Sequence, residues 1–267
     1  GTDEANSEYF NVGDKSTVLR GAQISGGSRA IELGLITLKN TKKLANIMLF
    51  VSMFFLIMVC CNSYLITNSF SNIKAMGLIA LIASLLGYFY TAKPIRLSGR
   101  KGLGELTIFL SFGPLLTVGS AIAMSTNTIV LDYQNLRDFI LIGIPLGLLT
   151  TNILFINQFP DYNSDKISGK TNLVVLFGKK LSRWIFLLNV SLTIFFSYFL
   201  KNVFSSKVLN FNETAYSVII SILALYGIII SLGLFKNYNK RSLVYFNIQT
   251  IYYQIFFCFG IIISFYF

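Results

Sequence analysis

A chain of 267 residues that is 54% hydrophobic, 15% aromatic and only 12% charged is too apolar for an ordinary water-soluble domain. Its mean hydropathy of +0.66 makes a bilayer the natural solvent. Histidine is absent, which excludes Ser-His and Cys-His nucleophilic catalysis and the commonest zinc ligand, so chemistry must run on carboxylates, cations and hydroxyls.

The first 43 residues are polar and glycine-rich. Within them Gly26-Gly27-Ser28-Arg29 has the form of a backbone pocket for an anion, and residues 30–38 predict a short amphipathic helix lying in the membrane interface. Seven apolar segments of near-spanning length follow, at 44–66, 75–92, 103–124, 139–158, 184–200, 216–235 and 243–267. Residues 49–59 are apolar almost all round instead of alternating, which predicts helices and not the strands of a membrane barrel. The first segment lies too far from residue 1 for a signal peptide, and no cleavage pattern precedes it. The expected fold class is all-α, a polytopic transmembrane helix bundle at 44–267 preceded by a cytoplasmic polar segment at 1–43. Cys60, Cys61 and Cys258 lie in apolar runs and read as small hydrophobes, with no disulfide framework.

The net charge of +11 would suit nucleic acid, but its placement argues for a membrane. Threading the segments alternately puts eighteen of the 22 basic residues on one side: Lys15, Arg20, Arg29, Lys39, Lys42, Lys43, Lys93, Arg96, Arg100, Lys101, Lys166, Lys170, Lys179, Lys180, Arg183, Lys236, Lys240 and Arg241. Lys74, Arg137, Lys201 and Lys207 face the other way. Such a bias is the positive-inside pattern and predicts that the basic loops are cytoplasmic.

Two of those loops carry residues unusual for their setting. In the first, Lys93 and Arg96 suit a phosphate clamp, or equally serve as anchors that snorkel to headgroups. Glu105, at the start of the next span, needs a partner or a function, and Arg100 or Lys101 is the expected partner. In the second, Asn157, Asp161 and Asp165 fall at i, i+4 and i+8, so one helix would align them. Oxygen ligands so aligned suit Mg²⁺, commonly held by one or two carboxylates plus substrate phosphates, and Lys166 and Lys170 follow at once. A solvated helix face has the same spacing.

Taken in order, Gly26-Gly27-Ser28-Arg29 with Gly34-Leu35-Ile36-Thr37, then Tyr90-Thr91-Ala92-Lys93-Pro94 and Gly102-Leu103-Gly104-Glu105, then 157–171 with Leu173-Val174-Val175 and Gly178, resemble the UbiA family of membrane prenyltransferases. Within it the chain looks most like the 1,4-dihydroxy-2-naphthoate polyprenyltransferases of menaquinone synthesis. The resemblance implies about nine transmembrane helices around a cavity, with two aspartate-rich motifs facing each other on the cytoplasmic side of the plasma membrane. It implies a polyprenyl diphosphate donor, an aromatic acceptor and Mg²⁺. Asp161 and Asp165 match the second motif and take the catalytic, metal-binding role. Lys170, Lys93, Arg96, Arg29 and Asn157 are expected around the diphosphate, and Tyr88 and Tyr90 on the cavity wall.

Two departures from the family pattern carry expectations. No N-D-x-x-D motif precedes the seven spans, so the chain is expected to lack two N-terminal helices and, alone, not to turn over; restoring them should create activity. Thr171 and Asn172 replace residues of the family pattern, one of them a cation. The alternative readings are a different aromatic acceptor, a transporter or binder of an anionic lipid, and an inactive fragment. A transporter would place its acids near the midplane, not at a helix end.

The charge bias sets a topology that can be tested by labelling. A cysteine introduced at Ser168 should react with an impermeant reagent only from the cytoplasm, and one at Asn135 only from the opposite face. Labelling of both from one face would overturn the threading.

Overall fold

The computed structural model describes residues 34–125, 133–207, 211–240 and 242–266. Arg29 and the glycine pair before it, and the first four residues of the amphipathic helix expected at 30–38, lie outside the described residues. Among the described residues there are nine α-helices and no strand: α1 Leu38–Thr67, α2 Ser71–Thr91, α3 Leu103–Phe112, α4 Pro114–Met124, α5 Tyr133–Asn157, α6 Tyr162–Ile167, α7 Leu173–Lys207, α8 Glu213–Asn237 and α9 Leu243–Ile263. A single 3₁₀ turn, Leu97–Gly99, sits between α2 and α3. Seven spans, α3 and α4 forming one together, are long and apolar enough to cross a membrane. The protein is an integral, multi-pass helix bundle.

The first span starts earlier than the apolar run at 44 suggests. Thr37 ends the turn at 34–37, and its hydroxyl accepts the Asn40 N–H at 3.2 Å, capping α1 six residues upstream of that run. Residues 34–37 are not helical, and Gly34 takes a positive φ of 71°. One residue of α1, Ser63, is buried; most of its apolar side chains are exposed, while Cys60 packs against the small cluster of Met76, Val118 and Ile122.

The third span is broken. Gly113 adopts φ −113° and ψ −107°, and Pro114, which lacks an N–H, opens α4 at a position where none is needed. The break seats the chain against the small face of α5. A Cβ on Gly113 would stand 2.6 Å from the Gly143 oxygen and 2.9 Å from Gly147 Cα, and one on Gly147 would stand 2.5 Å from the Phe109 oxygen. Gly143 and Gly147 thus form a G-x-x-x-G contact at which backbones touch, and the Thr117 hydroxyl donates to the Phe139 oxygen across it at 2.7 Å.

The main core joins α5, α7, α8 and α9 through Phe155, Phe159, Phe186, Tyr216 and Phe257, all fully buried. Amide and hydroxyl pairs stitch the same helices at depth: Asn189 donates to Asn152 at 3.0 Å and Gln254 to Thr150 at 2.9 Å. The connection after α2 meets the one after α5 through Gly99 and Thr171, and Arg183 of α7 donates to the Phe235 oxygen of α8 at 3.1 Å. These contacts gather the basic loops at one end of the bundle. Lys201 and Glu213, paired at 3.2 Å, mark the opposite end.

If the glycine contact fixes the α3–α4–α5 arrangement, Gly143→Leu or Gly147→Leu should cost roughly 2–3 kcal/mol of stability in detergent. Gly77→Ala and Gly87→Ala, in α2 with no neighbour within 4 Å, should be neutral or stabilising. Thermal unfolding followed by circular dichroism would measure both, and equal effects would dismiss the contact.

Candidate functional site

At the basic end, α5 stops at Asn157. Pro160 has no N–H to give and crowds the preceding turn, so the chain tightens: Gln158 N–H bonds the Phe155 oxygen at 3.2 Å and Phe159 N–H the Ile156 oxygen at 3.3 Å. The short helix α6 then begins at Tyr162. Asn157, Asp161 and Asp165 therefore do not share one helix, contrary to the alignment inferred from their spacing. Asn157 is drawn to α9, where it accepts from Asn247 Nδ2 at 2.7 Å. Asp161 and Asp165 remain one helical turn apart, with Asp165 N–H donating to the Asp161 oxygen at 2.8 Å.

Asp165 is 4% exposed, and a carboxylate so buried must be met by donors. Lys170 Nζ donates to Oδ1 at 2.8 Å and Asn172 Nδ2 to Oδ2 at 2.6 Å. Asn172 Oδ1 accepts the Val175 N–H at 2.9 Å, so one side chain holds the acid and caps the start of α7. Glu105, 3% exposed, accepts the Leu173 N–H at 2.9 Å. Its partner is the positive end of α7, not the cations expected from the sequence. Arg100 instead donates to the Pro94 oxygen at 2.7 Å, and the Lys101 N–H goes to the Thr171 hydroxyl at 3.1 Å.

Thr171 is the staple between the two loops. Its N–H and its hydroxyl both donate to the Gly99 oxygen, at 2.9 and 3.0 Å. Arg96 and Lys170 flank that glycine: side-chain atoms of each would lie 3.8 Å from a Cβ placed on Gly99. Arg96 reaches this position from a left-handed backbone, φ 45° and ψ 64°. Tyr90 stands close enough to feel the charges of both Glu105 and Lys170. Gly104 permits the tight approach, since a Cβ there would meet Ser98 Cα at 2.9 Å.

Asp161, Asp165, Lys170, Arg96 and Tyr90 thus gather at one end. Lys93 is exposed on the same loop, and Tyr88 is 66% exposed, its ring against Phe89. Glu105, Thr171, Asn172 and Asn247 complete the site without having been assigned to it from sequence. Glu105 left a local trace as an acid opening an apolar span, and Asn172 one as an asparagine standing just before an apolar helix. Among the described residues no three acids, cysteines or histidines cluster as a metal cage.

Removing the double role of Asn172 should be costly. Asn172→Ala strips a donor from a buried carboxylate and a cap from α7, a loss of about 2–4 kcal/mol. Lys93→Ala, at an exposed site, should stay within about 0.5 kcal/mol of the parent. Denaturation midpoints would compare them, and similar values would mean that Asp165 does not depend on Asn172.

The sequence is similar to several known proteins. The chain is 29% identical over 161 residues to the 1,4-dihydroxy-2-naphthoate octaprenyltransferase of Escherichia coli (strain K12), a match covering 59% of this chain and 48% of that protein. It is 30% identical over 141 residues to the 2-carboxy-1,4-naphthoquinone phytyltransferase of Synechocystis, covering 48% of this chain and 43% of the relative. It is 36% identical over 115 residues to UbiA prenyltransferase domain-containing protein 1 of Dictyostelium discoideum, covering 43% and 32%. The matches span about half the length of these curated relatives or less. No solved structure matches the chain. The family model for UbiA prenyltransferases matches residues 27–261, nearly the whole chain, and the protein belongs to the UbiA prenyltransferase family.

Proposed function

We propose that this protein transfers a polyprenyl group from a prenyl diphosphate to an aromatic acceptor, 1,4-dihydroxy-2-naphthoate in menaquinone biosynthesis, with Mg²⁺ as cofactor and the basic end at the cytoplasmic face of the plasma membrane. The observation that carries this reading is the Gly99–Thr171 staple, because it brings Arg96 and Lys170 beside a buried carboxylate at a membrane boundary. The acceptor is inferred from relatives that act on naphthoate and naphthoquinone rings.

The residues fit a metal that arrives with its phosphates. Asp161 and Asp165 supply two carboxylates one turn apart, and each Asp165 oxygen, with one donor already bound, keeps a further lone pair. Mg²⁺ held there would neutralise charge on the departing diphosphate. Lys170 and Arg96 add cations where that charge develops, and Asn172 keeps Asp165 in place. Transfer breaks the bond between the allylic carbon and oxygen, whose electron pair leaves with the diphosphate. A ring carbon of the acceptor then attacks the allylic cation, and the ring regains aromaticity when the bond to the hydrogen or carboxyl group on that carbon breaks, releasing a proton or CO2 and returning its electron pair to the ring. Acids at a helix end, not at mid-membrane depth, favour this reading over ion-coupled transport.

In the protein as its gene encodes it, Asp161→Asn and Asp165→Asn should each lower Mg²⁺-dependent prenyl transfer by on the order of 100-fold, with near-parental amounts in the membrane. Undiminished turnover in both variants would reduce the pair to a solvated helix face.

A further inference from the structure

We propose that a recess at the basic end, lined from α6, α7 and the turn after α8, holds the phosphate headgroup of an anionic membrane lipid. The recess has a volume of about 370 Å³ and is lined by Tyr162, Asn163, Lys179, Lys180, Tyr238 and Asn239. No acid lines it. Asp161 and Asp165 flank the α6 residues of the lining, Asp165 being paired with Lys170, and from Lys166 to residue 267 the only further acid is Glu213, which pairs with Lys201 at the opposite end. Lys179, Lys180, Arg183, Lys236 and Lys240 therefore give this corner a local excess of positive charge.

Its walls are built, not merely charged. Arg183 is wedged between the Phe235 and Tyr238 rings, 4.9 and 4.3 Å from their centroids, and donates to the Phe235 and Lys180 oxygens at 3.1 and 3.2 Å. That wedge fixes the end of α8 against α7. Lys179 Nζ stands 5.5 Å from the Tyr162 ring centroid. Trp184, 56% exposed and packed edge-on against Phe235, sits one residue beyond Arg183, as an aromatic does at the level of the headgroups. Gly178, at φ 75° and ψ 153°, interrupts α7 immediately before the two lysines and sets them at the mouth. Snorkelling anchors alone would account for the cations but not for a concave recess with aromatic walls and two asparagine amides.

The site is separate from the diphosphate site. Tyr162 and Asn163 line the recess, whereas Asp165, farther along the same helix, is buried and bonded to Lys170 and Asn172. Its occupant is a membrane lipid, because the recess opens among aromatic and cationic residues that mark the bilayer interface.

The test uses the purified full chain in neutral detergent, titrated with phosphatidylglycerol or phosphatidylcholine and followed by native mass spectrometry. The parent should bind one phosphatidylglycerol saturably and phosphatidylcholine at least about tenfold more weakly. Lys179→Gln with Lys180→Gln should weaken phosphatidylglycerol roughly tenfold, and Lys179→Arg with Lys180→Arg should retain it. Lys39→Gln with Lys43→Gln removes the same charge away from the recess and should leave binding within about twofold. Circular dichroism checks that each variant is folded, and the Arg pair keeps the test valid if the Gln pair is not. Equal loss in the Lys39/Lys43 pair would show a diffuse charge effect and overturn the site. Displacement of phosphatidylglycerol by inorganic pyrophosphate would assign the recess to the diphosphate and overturn it as well.

Discussion

Burying a carboxylate at the rim of an apolar bundle costs several kcal/mol unless donors meet it, and Asp165 is met by donors from its own loop. Lys170 and Asn172 bond its two oxygens, and Asn172 in turn caps α7. Glu105, equally buried, closes the start of the same helix from the first turn of α3. The first turn of α7 is thus the point on which both loops converge, and each acid is stabilised by what orders the other's surroundings. The Gly99–Thr171 staple is a consequence of that convergence, and it carries Arg96 to the side of Lys170.

The rest of the bundle serves to hold that end still. Glycines at 113, 143 and 147 let the broken third span lie directly on α5, which leads into the aspartate loop. Phenylalanines and tyrosines of α5, α7, α8 and α9 fill the space between helices, while interhelical amide pairs fix their register where apolar packing alone would let helices slide. α1 and α2 contribute little to this core and present apolar faces to lipid.

The seven spans were legible because a run of about twenty apolar residues has few other uses. Their edges were less so: hydropathy rejects Lys39, Lys42 and Lys43, although Thr37 caps the helix ahead of them. The break at Gly113 was invisible to hydropathy, since a kinked apolar run is still apolar. At the site, the spacing of Asp161 and Asp165 and the cations after them could be read locally. The i+8 alignment with Asn157 failed because Pro160 intervenes, a local signal outweighed by the attraction of the period. Glu105 finding Leu173, across 68 residues of sequence, follows from tertiary packing that no window of sequence contains.

The central claim is that the two loops form one anion site spanning Gly99, and a double-mutant cycle tests it most directly. Binding of a polyprenyl diphosphate to the purified chain would be measured for Arg96→Ala, Lys170→Ala and the pair. If both cations face the same phosphates, each single change weakens binding about tenfold and the two effects couple by more than about 0.5 kcal/mol. Strictly additive losses, or no loss from either residue, would contradict a shared site.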